Sequence, residues 1–261
     1  NGGVGSNCST VGNWRGDSIP TTSSHVAFSG TSSTVATWDS GCPSSIKGLI
    51  LSDHNGAYES TVTIDSALHV GGDIRVQSGT LIVNAPLSAS GTVEIMSGAA
   101  IRVHAGGSLT VGDADDQLIV RGILTNSGTV NLGGQGEHEN HLSFFKQEIY
   151  GSVTNTATST WNLTGVKPAH TVRVPNLTYG DLTLATGATF AQIAALTIRD
   201  DLTIQQGTLS GGQTITVGGN WNEVGDSQFL AGQSRVRLTG SRQNLVFSGS
   251  STLHHLDIDA G

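Results

Sequence analysis

Between Gly91 and Leu132 the apolar residues stand two apart, as Val93 and Ile95, Ile101 and Val103, Leu109 and Val111, Leu118 and Val120, and Val130 and Leu132. Period-two alternation sends successive side chains to opposite faces, the pattern of a strand with one buried face. The first three pairs start at the evenly spaced positions 93, 101 and 109, and each follows a glycine turn at Gly91, Gly98 or Gly106-Gly107. Three such strands make a coil of roughly 24 residues, within the period range of solenoid arrays. The same grammar returns after Gly187, Gly207 and Gly212. Helical signals are nearly absent: a short helical turn is arguable only over residues 142–149, read here as a loop leaving the regular body.

Longer echoes support a repeating scaffold. Trp161-Asn162-Leu163-Thr164-Gly165 matches Val236-Arg237-Leu238-Thr239-Gly240, and the Asp181-Leu182-Thr183-Leu184 stretch matches His255-Leu256-Asp257-Ile258 at nearly the same offset. Ala67-Leu68-His69-Val70 and Asp73-Ile74-Arg75-Val76 likewise match Ala195-Leu196-Thr197-Ile198 and Asp201-Leu202-Thr203-Ile204. A repeat of this size cannot bury its apolar face alone and must stack on a neighbour.

The expected fold is therefore all-β, a right-handed parallel β-solenoid (β-helix) with Val, Ile and Leu stacked inside and glycine turns at the corners. Its hand follows from the general chirality of parallel crossovers. Tandem antiparallel β-sandwiches are the competing fold, since short strands with glycine turns suit them too. Two-residue hairpin signals are few, however, Asn55-Gly56 being the one Asn-Gly inside the chain. The reading is one continuous solenoid over 1–261, with amino-terminal coils at 1–134, an irregular excursion at 135–160 and repeated coils at 161–261. Because the echo that ends at Gly261 continues beyond the matching Gly187, the chain is expected to be part of a longer protein.

Composition narrows the partners. The 261 residues include 36 Gly but only 5 Pro, charged residues make up 12%, and the net charge is −8. With 12 Lys and Arg and no basic stripe interleaved with aromatics, nucleic acid is not an expected partner. No apolar run reaches the ~18 residues that cross a bilayer as a helix, and Asn1-Gly2-Gly3-Val4 lacks the basic and apolar parts of a signal peptide. Cys8 and Cys42 are the only cysteines and have no metal-ligand spacing. A disulfide between them, stapling the first coil, points outside the cytoplasm, two buried thiols being the alternative.

Gly12-Asn13-Trp14, followed by Ile19-Pro20, His25-Val26-Ala27-Phe28 and Thr37-Trp38-Asp39, resembles the opening module of large bacterial surface proteins made of β-strand repeats. Val217-Gly218-Gly219-Asn220-Trp221-Asn222, with Phe229, Gly232 and the stretches 234–240 and 253–259, resembles their recurring unit. The resemblance implies a secreted or cell-surface location and a β-helical scaffold with a structural or adhesive role. It carries no catalytic signature.

Candidate chemistry is sparse. Asp113, Asp115 and Asp116 crowd one turn, where calcium is a candidate ligand and a solvated acidic turn the plainer reading. Glu137-His138-Glu139-Asn140-His141 gathers two imidazoles and two carboxylates, but its histidines are three apart, unlike the zinc helix motif, so a surface loop is expected. Adjacent His254 and His255 face opposite sides of a strand and cannot readily share an ion. Arg15-Gly16-Asp17 is a chance-prone tripeptide match to an integrin-binding motif, and Asn162-Leu163-Thr164 and Asn176-Leu177-Thr178 fit glycosylation acceptors. Thr61-Val62-Thr63 and Thr214-Ile215-Thr216 suggest a threonine array, but only sporadically.

Polysaccharide cleavage on a β-helix needs paired carboxylates or an assisted base. Asp53, Asp73 and Arg75 are candidates, yet the Asp-apolar-x-apolar element recurs at Asp73, Asp181 and Asp201, as repeat residues do and a catalytic residue does not. No catalytic residue is assigned. The expected function is a noncatalytic extracellular or cell-surface structural protein or adhesin stalk, with a filament or matrix subunit as one form of it. Its expected partners are copies of itself, other surface proteins or glycans. The alternative is a carbohydrate-active β-helix, lyase or hydrolase, or a glycan-binding module.

Overall fold

The computed structural model describes residues 6–31, 34–112, 118–133, 148–149, 152–164, 171–174, 176–248 and 250–259. The fold is an all-β parallel β-solenoid, and every strand pairing among the described residues is parallel, which excludes antiparallel sandwiches. Helical structure among these residues is confined to the 3-10 turn Val11–Asn13. The chain divides into two compact units, 1–130 with 147–154, and 131–146 with 155–261.

In the first unit each coil contributes one strand to each of three sheets. Val93–Ile95, Ala100–Val103 and Ser108–Val111 are three consecutive strands of one coil, as the glycine-punctuated spacing predicts. Leu49, Ile74, Val93 and Leu118 lie opposite one another in successive coils, and the step from Ile74 to Val93 is shorter than those on either side of it. These aliphatic side chains are almost wholly buried, as are those of the neighbouring column Val62, Leu81, Ile101 and Leu124. A fully buried side chain of this size contributes about 1.5–3 kcal/mol, so stacking like on like supplies the cohesion that a single coil lacks.

The second unit uses longer strands. Asp181–Gln192 and Leu202–Ser210 pair along two straight stretches, with the register shifting between Leu184 and Thr189. Trp161, Leu182, Leu202, Trp221 and Leu245 form one inward column, the last step being the longest. A second sheet stacks Thr178–Tyr179, Leu196–Ile198, Ile215–Val217, Arg235–Leu238 and His255–Ile258.

This topology changes the meaning of the longest sequence echo. Trp161 belongs to the first of these sheets and Val236 to the second, so the echoed segments are not equivalent positions in the fold. The structural repeat is the coil of about 20 residues, and the longer echo reflects strand-and-glycine grammar that suits either sheet. Within the region read as an excursion at 135–160, Glu148–Ile149 pairs in parallel with Leu118–Val120, and Ser152–Asn155 is a strand beside Ile123–Asn126 in its sheet.

Candidate functional site

The recurring aspartates occupy the corners where one coil passes to the next. Asp73 Oδ1 accepts the Thr92 amide at 3.0 Å, Asp181 Oδ1 accepts the Asp201 amide at 3.0 Å, and Asp201 Oδ1 accepts the Asn220 amide at 2.6 Å. Asn220 continues the column by accepting the Asn244 amide at 3.0 Å. Each side chain thus satisfies a backbone donor one coil further on, at a corner where the sheet ladder is interrupted. Close approach is needed: a Cβ at Gly91 would lie 2.5 Å from Asp73 Oδ1, and one at Gly219 would lie 2.3 Å from Asp201 Oδ1. Between two of these acids stands Asp200, whose carboxyl is pushed upward by burial first and then by its neighbours Asp181 and Asp201.

Replacing Asp201 with alanine is expected to lower stability by about 1.5–3 kcal/mol, the range for a charge-assisted hydrogen bond, whereas asparagine, a neutral acceptor, retains about half of it. Thermal unfolding of the two variants measures the difference. Equal losses would contradict the capping role.

The sequence candidates for cleavage chemistry do not converge. Asp73 engages Thr92 and also pairs with Arg75 at 2.9 Å on a largely exposed face. Asp53 instead lines a separate hollow of about 450 Å³ with Glu59, Gln77 and Ser97. The calcium candidates Asp113, Asp115 and Asp116 lie outside the described residues, as do Glu137, His138, Glu139, Asn140 and His141. No group of His, Cys, Asp and Glu able to hold a metal is found among the described residues. His255 sits on an outward strand position and reaches Asp257 at 2.9 Å. Asp257 also accepts from Arg235, and that bond, reinforced by His255, holds its carboxyl below the ordinary range.

Outward positions form single-file polar columns. Thr178, Thr197 and Thr216 align and are followed by Arg237 and Asp257. The strands Leu196–Ile198 and Ile215–Val217 offer one outward position each, so the threonines make a line and not a lattice. Asn162, Thr183, Thr203 and Asn222 form a second column, and Ser45, His69, Ser88 and Thr110 form one in the first unit. Asn162 donates to Asn131 at 2.8 Å, within such a column.

Two features escaped the sequence reading. Glu223 is 3% exposed and stands in the inward column of Leu163, Leu184 and Ile204. Its carboxylate accepts from the Trp221 indole at 3.0 Å, from the Ser248 amide at 3.1 Å, and from the Ser248 and Ser251 hydroxyls. A carboxylate where the repeat calls for an aliphatic is the signal that alignment of the coils would have exposed.

The second is a cavity of about 900 Å³ at the amino-terminal coil. The turn Val11–Asn13 delivers Trp14, whose indole donates to the Cys8 carbonyl at 2.6 Å. Cys8 in turn is bridged by a disulfide to Cys42, with Cα atoms 5.9 Å apart, and its amide donates to Thr37 at 2.8 Å. The leading segment is therefore stapled onto the strand Ala36–Trp38, as the cysteine reading expected. Trp14 packs against Phe28 at 6.0 Å and Trp38 at 6.4 Å between ring centres, and Phe28 against Tyr58 at 5.7 Å. Trp14 and Phe28 remain half-buried and line the cavity with Arg15, Ser18, His25 and Asn55. No acidic side chain belongs to its described lining.

No family model matches the chain, and neither a curated protein nor a solved structure does.

Proposed function

We propose that this chain is a noncatalytic extracellular or cell-surface scaffold, a stretch of adhesin stalk or of a filament or matrix subunit that meets copies of itself or other surface proteins. The observation that carries the reading is the use made of the repeated carboxylates. Asp73, Asp181 and Asp201 are bonded to the backbone of the following coil, so the acids most regularly displayed by the sequence hold the stack together. A catalytic carboxylate has to reach a substrate proton or carbon, which these engaged oxygens do not.

The single-file columns of threonine, asparagine and serine give a lateral surface of low charge, suited to a stalk. The Cys8–Cys42 bridge supports an oxidising compartment, where such bonds persist. No helix among the described residues is long and apolar enough to cross a membrane. The likeness of the Gly-Asn-Trp elements to bacterial surface repeat proteins adds to the extracellular reading.

Antibodies against the purified protein are expected to label intact source cells or their shed material. Labelling only after permeabilisation would overturn the location. Reproducible depolymerisation of polygalacturonate by the pure protein, lost on substituting one acid, would overturn the noncatalytic part. Glycan recognition without cleavage is a second reading, favoured at one place, the amino-terminal cavity with its aromatic floor.

A further inference from the structure

We propose that the amino-terminal cavity is a binding site for an acidic glycan, a pyranose bearing a ring carboxylate. This rests on the extracellular reading and names a ligand class for the second form of it. The volume of about 900 Å³ falls within the span of small-molecule sites, which are lined by apolar and aromatic groups with a few placed polar ones.

The floor is preorganised. The Trp14 N–H is taken by the Cys8 carbonyl, and the disulfide anchors that carbonyl's residue to the first coil. Phe28 is held between Trp14 and Tyr58. Two fixed, half-buried rings offer apolar surface to the C–H face of a sugar without loss of side-chain freedom on binding. Around them Ser18, His25 and Asn55 bring hydroxyl, imidazole and amide groups suited to sugar hydroxyls.

Charge selects among sugars. Arg15 is exposed, lines the cavity, and has no ion-pair partner among the described residues. A guanidinium receives a carboxylate through two parallel hydrogen bonds, and no acid in the described lining opposes it. A neutral sugar leaves that cation without a partner, and an amino sugar is repelled by it.

Trp14 fluorescence provides the assay, because Trp38, Trp161 and Trp221 are 1%, 1% and 0% exposed and are shielded from a ligand. The full chain is titrated with tetragalacturonate and with sialyllactose, each beside its own methyl ester. Saturable change with one of the two acids and about tenfold weaker binding of the ester support the proposal, and the acid that binds identifies the source of the carboxylate. Arg15→Ala, which removes an exposed side chain, should weaken the acid about tenfold and leave the ester unchanged.

Equal affinity for acid and ester, or an Arg15→Ala variant that binds as wild type, overturns the assignment. So does silence toward every probe up to about 10 mM. Failure here leaves the cell-labelling result standing, since that experiment does not depend on the cavity.

Discussion

Replacement of Glu223 by alanine is expected to destabilise the second unit by about 3–4 kcal/mol, more than any surface substitution in it. The carboxylate is buried, and it is the acceptor for the Trp221 indole, the Ser248 amide and the hydroxyls of Ser248 and Ser251. Removing it leaves the buried Trp221 indole N–H without its acceptor and takes one from the half-buried Ser248 and Ser251 donors, and leaving such groups unmade is costlier than the bonds are favourable. The same network extends to the Phe229 amide, which donates to Ser251 Oγ at 2.8 Å, so strand Gln228–Leu230 should loosen as well.

Leucine at the same position separates volume from polarity. Leu163, Leu184 and Ile204 occupy the preceding places in the column, so leucine fits the stack. It supplies no acceptor, however, and is expected to recover only part of the loss. Urea unfolding gives the ranking, wild type above glutamine above leucine above alanine. Amide exchange across 228–248 locates the loosening. A leucine variant as stable as wild type would show that packing, not the carboxylate network, holds these coils.

Loss of the Cys8–Cys42 bridge is expected to cost about 4 kcal/mol in the chain-entropy treatment, given a separation of 34 residues. The effect should be local. Residues 6–14 are tied to the first coil by the bridge, by the Cys8 amide to Thr37 and by the Trp14 indole to Cys8. Without the covalent tie the two hydrogen bonds must hold the segment alone, and stability in stacked coils is built from neighbour contacts. A Cys8→Ala, Cys42→Ala double variant should therefore show faster amide exchange over 7–38 and a Trp14 emission shifted toward solvent, with strands 196–238 unchanged. Two alkylatable thiols in the untreated native protein would remove the basis of this expectation.

Period-two alternation made the strands between Val93 and Val111 legible in the sequence, because the burial of one face is a local property that each residue reports by its own polarity. Glycine at the corners and the echoed Asp-apolar-x-apolar element also identified a parallel stack and marked Asp73, Asp181 and Asp201 as parts of it. The two cysteines were pairable on count and compartment logic alone. What these aspartates do was not legible, because each bond joins residues 19 or 20 apart and depends on the length of the intervening coil. That length is not constant even within the first unit, as the unequal steps from Leu49 to Ile74, Val93 and Leu118 show, so register is settled by how each turn is accommodated.

The same reason explains the misleading long echo, whose segments look alike and lie in different sheets. It explains Glu223 too. Period-two spacing puts Glu223 on the face of Trp221, but that its carboxylate is buried there follows only from the ladder that places it beside Ile204 and from the Ser248 amide that donates to it. The amino-terminal cavity is likewise a product of tertiary structure, since Trp14, Phe28 and Asn55 come together only when the leading segment is stapled to the first coil. Local polarity and turn chemistry thus determined which residues are strands and which faces are buried. The register between coils, a sum of turn geometries that no short window encodes, decided which polar groups meet.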